Sequence, residues 1–386
     1  MATGAGDQFW EQQRLPGVFK HDLLRRYLPR FAGKTGSQAP GVVYLDGYAG
    51  RGRYQDGRPA SAERILQIAE HQGTQGINYH LFFYERDPES YSVLKPVVDE
   101  YVARGVQAEV DECEVISGLD KVVVAADRRS LFLFLDPCGL GIPFSVLTRA
   151  LSGPRAVTWP PTEVLLNFSL EAVRRIAGHM TSSTPNENSM ARLDEAVGGD
   201  WWRDLARRGV SDQAVSGIVR GFMERLGQAA KMRILAVPVR RAPSQKPVYF
   251  LVFGTRNPLG VWYFADDIAR ATEQWWSTFD AQEVTKMLEK SGGQELLFPP
   301  SATLRLDLSA VEAEARPVIA ENIAALIAER GQCRVGDFPV EVFGDYLGRV
   351  RETVVRAAIK DLHVNGRTPS DGKGNRIADL VVSPLR

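Results

Sequence analysis

At 386 residues the chain is long enough for one large α/β domain with an appendage, or for two domains. Its 47 basic and 47 acidic side chains balance to a formal net charge of zero, which excludes a globally basic nucleic-acid binder while leaving room for local basic faces. Three scattered cysteines, Cys113, Cys138 and Cys333, provide neither a disulfide framework nor the paired ligands of a zinc site, and no metal is expected. The start, MATGAGDQFW, has no basic segment leading into an apolar stretch, and no run approaches the roughly 18 apolar residues of a membrane span. A soluble cytoplasmic protein with no membrane partner is therefore expected.

Short apolar clusters alternate with helical patterns through the first half, the signature of a parallel sheet with crossover helices. The expected strands are residues 41–47, 78–85, 107–112, 130–136 and 162–168, rich in apolar and aromatic side chains as strands covered on both faces should be. ASAERILQIAEHQ, SYSVLKPVVDEYVARG and FSVLTRALSG carry apolar residues at three and four spacing and read as the helices between them. A mostly helical insertion is expected over about 178–231. Two further strands, 232–241 and 247–257, lie so close together that they should pair antiparallel. A Gly/Pro-rich break then suggests a linker over 291–310, separating a domain of residues 1–290 from one of residues 311–386. That last part reads helix, short segment, long helix and hairpin, the order of a winged helix-turn-helix. Its long helix carries Arg349, Arg351, Arg356 and Lys360, suited to a nucleic-acid backbone. The fold class is thus α/β: a Rossmann-like seven-stranded sheet with a helical insertion and a C-terminal winged module.

The first strand runs into LDGYAGRGRY, a Gly-rich turn at the edge where open α/β sheets bind ligands. Asp46 is suited to a ligand ammonium, and Gly47, Tyr48, Gly50 and Gly52 let a ligand approach the backbone. The G-K-[ST] ending of a phosphate loop is missing, so the pattern favours S-adenosylmethionine, which needs no phosphate cradle. Glu85 ends the second strand, where a carboxylate can accept both ribose hydroxyls, and Glu114 after the third strand can reach an adenine amine.

LFLFLDPCGLGIPF closes the fourth strand with Asp136 and Pro137. In methyltransferases acting on exocyclic amines, a D/N-P-P-Y/F corner offers a side-chain oxygen and a backbone carbonyl to the amine hydrogens while its aromatic stacks on the base. Here Cys138 and Gly139 replace the second proline and the aromatic, so Phe144 or Tyr48 would have to stack. Pro137-Cys138 with Glu163 also imitates a pyrimidine C5-methyltransferase, but Glu163 opens its strand rather than closing it. A structural thiol is the better reading of Cys138.

FKHDLLRRYL, YLDGYAGRGRY, FFYERDP, FLDPCGLG, LLNF, GFMERLGQAA and PVYFLVFGTRNPLGVW occur in order over roughly residues 18–290 and together resemble the three-Cys-motif partner proteins of bacteria. The resemblance implies a branch of the Rossmann-like S-adenosylmethionine methyltransferases, encoded beside a protein that bears a three-cysteine motif. The cysteines of this chain are not that motif. Cys138 stands where members commonly carry an aromatic, and RPASAERILQ replaces the usual Gly-Ser-Pro. Lys20 and His21 match the family's N-terminal pair and, with Asn167 at the end of the fifth strand and Phe144, complete the candidate substrate contacts. Trp201, Trp202, Trp275 and Trp276 read as packing residues rather than base platforms. The expected activity is methyl transfer to nucleic acid, RNA or DNA, at an exocyclic amine such as adenine N6. The alternative is a non-catalytic methyltransferase-like adaptor serving the three-cysteine protein.

Overall fold

The computed structural model describes residue 10, residues 14–290 and residues 307–385. The chain divides into two compact units, one of Met1–Gly17 with Leu28–Arg256 and the other of Val18–Tyr27 with Asn257–Arg386. The division falls at Arg256, upstream of the boundary expected at residue 290, and most of the expected linker lies outside the described residues.

The first unit is built on a seven-stranded sheet of order β3-β2-β1-β4-β5-β7-β6. Its strands are β1 (Val42–Asp46), β2 (Tyr79–Glu85), β3 (Ala108–Glu112), β4 (Ser130–Leu135), β5 (Thr162–Ser169), β6 (Arg233–Val239) and β7 (Tyr249–Thr255). Strands β1 to β5 pair in parallel, and β7 runs antiparallel to both β5 and β6. All seven expected strands form within a residue or two of their sequence ranges. Parallel neighbours need long crossovers, which α2 (Ser61–Gly73), α3 (Pro88–Ala103), α4 (Val115–Ala125) and α5 (Phe144–Leu151) provide, following the N-terminal α1 (Leu15–Thr35). The helical insertion follows α6 (Leu170–Ala177) as α7 (Glu187–Val197), α8 (Trp202–Ala206) and α9 (Asp212–Ala230).

Strand alternation sorts the side chains onto two faces. Val43, Leu45, Leu131, Leu133, Leu135, Val164 and Leu166 pack into one core with α4, α5 and the insertion. On the other face Tyr44 stacks on Phe132 with centroids 6.0 Å apart, and Phe31 of α1 packs edge-on against Phe132. The insertion is held by apolar anchors, with Trp202 fully buried and its indole N–H donating to Asp194 at 2.7 Å.

At the amino ends of the strands two arginines tie loops together. Arg155, 3% exposed, donates to Thr162 Oγ1 at 2.8 Å and to the carbonyls of Ala126, Asp127, Arg129 and Pro161. Arg256 donates to the carbonyls of Arg155, Leu151 and Ala230. Glu163 is buried at the same edge and accepts from Thr255 Oγ1 at 2.8 Å, so it closes a strand pair far from Asp136.

The second unit contains α10 (Pro258–Lys290), α11 (Leu308–Arg330), β8 (Cys333–Arg334), α12 (Pro339–Phe343), α13 (Thr353–Val364) and β9 (Val381–Val382). The hairpin expected near the end is absent among the described residues. Instead β9 pairs antiparallel with β8, Cys333 opposite Val382. The intervening loop is fastened by side chains rather than by a ladder. Arg356 donates to the carbonyls of Gly372 and Gly374, and Thr368 Oγ1 donates to the Ser383 carbonyl.

Replacing Arg155 with Met would remove five hydrogen bonds from a largely buried network, and chemical denaturation should show a loss of about 3 kcal/mol, the scale set by deleting a charged donor from such a network.

Candidate functional site

The carboxyl ends of β1, β2, β4 and β5 converge on one edge, and the register decides what they display there. Tyr44 pairs with Leu81 and Phe132, and Phe132 with Glu163. Counting by twos along each strand puts Asp46, Glu85, Asp136 and Asn167 on the same face at the same edge. The sequence signals for cofactor acid, ribose acid and target corner are thus drawn together by the sheet.

Asp46 is fully buried and accepts from the Tyr48 N–H at 3.2 Å, which turns the chain sharply at the strand end. Glu85 holds the loop from below: one oxygen accepts from the Gly50 N–H at 2.8 Å and the other from the Asp87 N–H at 2.8 Å. A carboxylate has about four acceptor positions, so two remain for a ligand. Gly50 and Gly52 have φ of +64° and +75°, the left-handed region open to glycine. At Gly47 a Cβ would come within 2.7 Å of Val115 and 2.9 Å of Leu135.

The loop arginines do not form a phosphate cradle. Arg51 pairs with Glu89 at 2.7 Å, Arg58 with Asp56 at 3.4 Å, and Arg53 forks onto the buried Glu63, which also accepts from Tyr101. The Glu63 and Glu100 carboxylates raise the Arg53 pKa further and keep it charged. This fits a cofactor whose loop-facing end is not a phosphate.

One residue at the loop has no sequence motif to announce it. Trp10 is 6% exposed and lies with Tyr54 and Ala60 in a small apolar cluster, its ring 5.9 Å from that of Tyr54. A Cβ on Gly50 would stand 2.3 Å from the Trp10 ring, and the Gln55 N–H donates to the Trp10 carbonyl at 2.8 Å. The indole therefore backs the turn that Glu85 holds. Only the aromatic pair Phe9-Trp10 in an otherwise small and polar N-terminus hints at it.

Asp136 lies one residue beyond β4, and Asn167 Nδ2 donates to its Oδ1 at 2.8 Å. Tyr48 sits between the loop and this corner. Burial first, and then Glu114, Asp136 and Cys138, raise its phenol well above the ordinary range against the opposing Arg86. Tyr48 is thus a neutral donor beside both candidate sites. Cys138 is exposed, while Pro137 is buried.

Other expected residues fall differently. Glu114 is exposed with Arg86 3.5 Å away. Phe144 packs against Phe222 with centroids 6.0 Å apart and against Gly198, so its ring is engaged in helix packing. Lys20 and His21 belong to the second unit and are buried, at 7% and 4% exposure. Of the basic set expected on one long helix, Arg349 and Arg351 precede α13, which starts at Thr353; Arg351 is bound at 2.7 Å through both Nε and Nη2 to Glu312, and Arg356 holds the glycine loop, leaving Arg349 and Lys360 exposed. Among the described residues no group of three His, Cys, Asp or Glu is placed to hold a metal ion, and no helix is long and apolar enough to cross a membrane.

The chain matches no protein-family profile and no curated protein sequence. Solved structures with a similar arrangement include the complex of Trm1 from Pyrococcus horikoshii with S-adenosyl-L-methionine, at 12% identity over 86% of this chain and 90% of that one, with a TM-score of 0.37. The small RNA methyltransferase HEN1 has 7% identity over 66% of this chain and 27% of its own, with a TM-score of 0.34. The plantazolicin methyltransferase BamL, in complex with a desmethylPZN analog and SAH, has 9% identity over 62% and 85%, with a TM-score of 0.32. The chemistry of the site rests on its own residues.

Two substitutions test this geometry. Gly50→Ala should lower the melting temperature by several degrees, because strain at positive φ and the approach of Trp10 together cost about 2 kcal/mol. Asn167→Asp would set a second carboxylate against Asp136 and raise the pKa of one of them. An acid whose folded pKa is raised contributes stability at low pH that is lost as pH rises. The deficit of this variant against wild type should therefore widen as pH rises above about 4, the ordinary aspartate value, in paired thermal melts.

Proposed function

We propose that the chain is an S-adenosylmethionine-dependent methyltransferase acting on an exocyclic amine of nucleic acid, with adenine N6 as the first candidate. The observation that carries the reading is the Asn167-held carboxylate of Asp136 at the end of β4, on the same face and edge as Asp46 and Glu85.

The residues fit the cofactor. Asp46 is a buried carboxyl suited to the ammonium of the amino-acid end, Glu85 has acceptor capacity left for ribose hydroxyls, and Gly47, Gly50 and Gly52 have no side chain that would hold the ligand away from the backbone. Glu114 at the start of α4 is the candidate for the adenine amine. Bound there, S-adenosylmethionine would supply an electrophilic methyl group. The protein's own part is orientation. Asp136 accepts one amine hydrogen and the Pro137 carbonyl the other, which turns the nitrogen lone pair away from both acceptors. Asn167 fixes the Asp136 carboxylate so that it need not reorganise as positive charge develops on the nitrogen. Tyr48 takes the stacking role that Gly139 cannot fill, since Phe144 is engaged with Phe222. Cys138 has no part in this scheme. A base in a duplex would have to be flipped out.

The motif resemblance extends the reading to a three-cysteine-motif protein as working partner, and the order of elements after residue 310 extends it to a winged C-terminal module, where Arg349 and Lys360 are among the exposed cations.

Calorimetry with S-adenosylmethionine should give saturable binding that Asp46→Ala and Glu85→Ala each weaken by about tenfold or more, the loss of one charge-assisted contact. Methyl transfer from the tritiated cofactor to mixed cellular RNA and DNA should fall about a hundredfold in Asp136→Ala while cofactor affinity stays within about threefold. Absence of cofactor binding in the wild type would sink the reading. Binding without any transfer would favour the adaptor.

A further inference from the structure

The arginines of the first unit divide by edge. At the amino edge Arg155 is buried and Arg256 half-buried, both engaged with backbone carbonyls. At the carboxyl edge the situation is reversed. Ser169 and Val239 both pair with Tyr249, so the turn between β6 and β7 and the start of α6 lie together at the edge that bears Asp136 and Asn167. Residues 169–180 and 238–248 contribute Arg174, Arg175, Arg240, Arg241 and Lys246 against a single carboxylate, Glu171. From α9 only Asp212 joins them, through Lys246 and Arg174.

This basic strip is built on fixed backbone. Leu170 N–H donates to the Val248 carbonyl at 3.0 Å, and Arg174 Nη1 to the Pro247 carbonyl at 3.1 Å, which fastens α6 to the turn. The ion pairs Arg241–Glu171 and Lys246–Asp212 are more than half exposed on both partners and can be exchanged for other anions at little cost. Arg175 is exposed and Arg240 half-buried, and neither has an ion-pair partner among the described residues. Across the sheet Asn167 pairs with Leu251 and Leu251 with Val237, so β6 is two strand spacings, roughly 10 Å, from Asn167 and three, roughly 14 Å, from the strand that carries Asp136.

We propose that this strip of the β6–β7 turn and α6 is the surface that grips the phosphodiester backbone of the nucleic-acid substrate. It rests on the function proposed above and adds the place where the polymer is held. Guanidinium groups present forks that suit phosphate oxygens, and contacts of this kind position a polymer without reading its sequence. A strip beside the corner that receives the base would hold the flanking phosphates while that base enters. An acidic protein surface is the competing occupant, and nothing about it would need the strip to adjoin Asp136.

The test compares two double charge reversals with the same change in net charge: Arg175→Glu with Arg240→Glu at the carboxyl edge, and Arg128→Glu with Lys231→Glu at the opposite edge. Binding of a fluorescein-labelled mixed-sequence 20-nucleotide RNA, and of the matching DNA, is measured by anisotropy against salt. The carboxyl-edge variant should lose about tenfold or more in affinity, and its log–log salt slope should shrink by about 1.4 to 1.8, the value for two lost phosphate contacts. The opposite-edge variant should stay within about threefold. Equal losses in both variants, no loss in either, no binding by the wild type, or equally tight binding of labelled polyglutamate would each overturn the proposal. Melting temperature and the cofactor-induced shift of each variant report folding. If the oligonucleotide result holds while the wild type binds no S-adenosylmethionine, the grip stands and the methyltransferase reading falls.

Discussion

The candidate site depends on one constraint, the shared register of β1, β2, β4 and β5. Parallel strands in register display every second side chain on one face, so Asp46, Glu85, Asp136 and Asn167 reach the same edge although they come from four separated segments. A slip of one residue in any strand would send its functional side chain to the opposite face, into the aliphatic core of Val43, Leu133 and Val164. Chemistry and stability therefore select the same register. The aliphatic face cannot be solvated and the acidic residues cannot be buried there without partners, so each face enforces the other.

Around this frame, polar groups are fastened by backbone as much as by side chains. Glu85 takes amide hydrogens from the loop and from the turn ahead of α3, Trp10 fills the space behind Gly50, and Arg53 ties the loop to α2 through Glu63. A loop fastened at this many points has little freedom left to lose, which lowers the entropy that binding must overcome. The corner at Asp136 follows the same logic, with Asn167 setting the carboxylate.

Much of this was legible in the sequence because it depends on local pattern. Seven apolar clusters, their spacing and the short interval before β7 were enough to define the strands, and the Gly-rich turn and the acids at strand ends are motifs with fixed offsets. The rest depends on partners distant in sequence. That Arg351 is bound to Glu312, that Arg356 holds Gly372 and Gly374, and that Phe144 packs on Phe222 cannot be read from a charge or an aromatic seen alone. The terminal hairpin failed for the same reason: the glycines and Asn375 in GKGNR signal a reversal, but the strand after them pairs with β8 instead. Trp10 was missed because its role lies in a void at Gly50 about forty residues away.

The order of strands also carries a consequence for how the sheet is completed. β6 is synthesised before β7, yet its only neighbour is β7, which lies between it and β5. It has no seat in the sheet without the later strand, so the two complete the edge as a pair. The turn that joins them, which includes Pro243 and Ser244, therefore sets the geometry with which this last pair of strands meets the rest of the sheet.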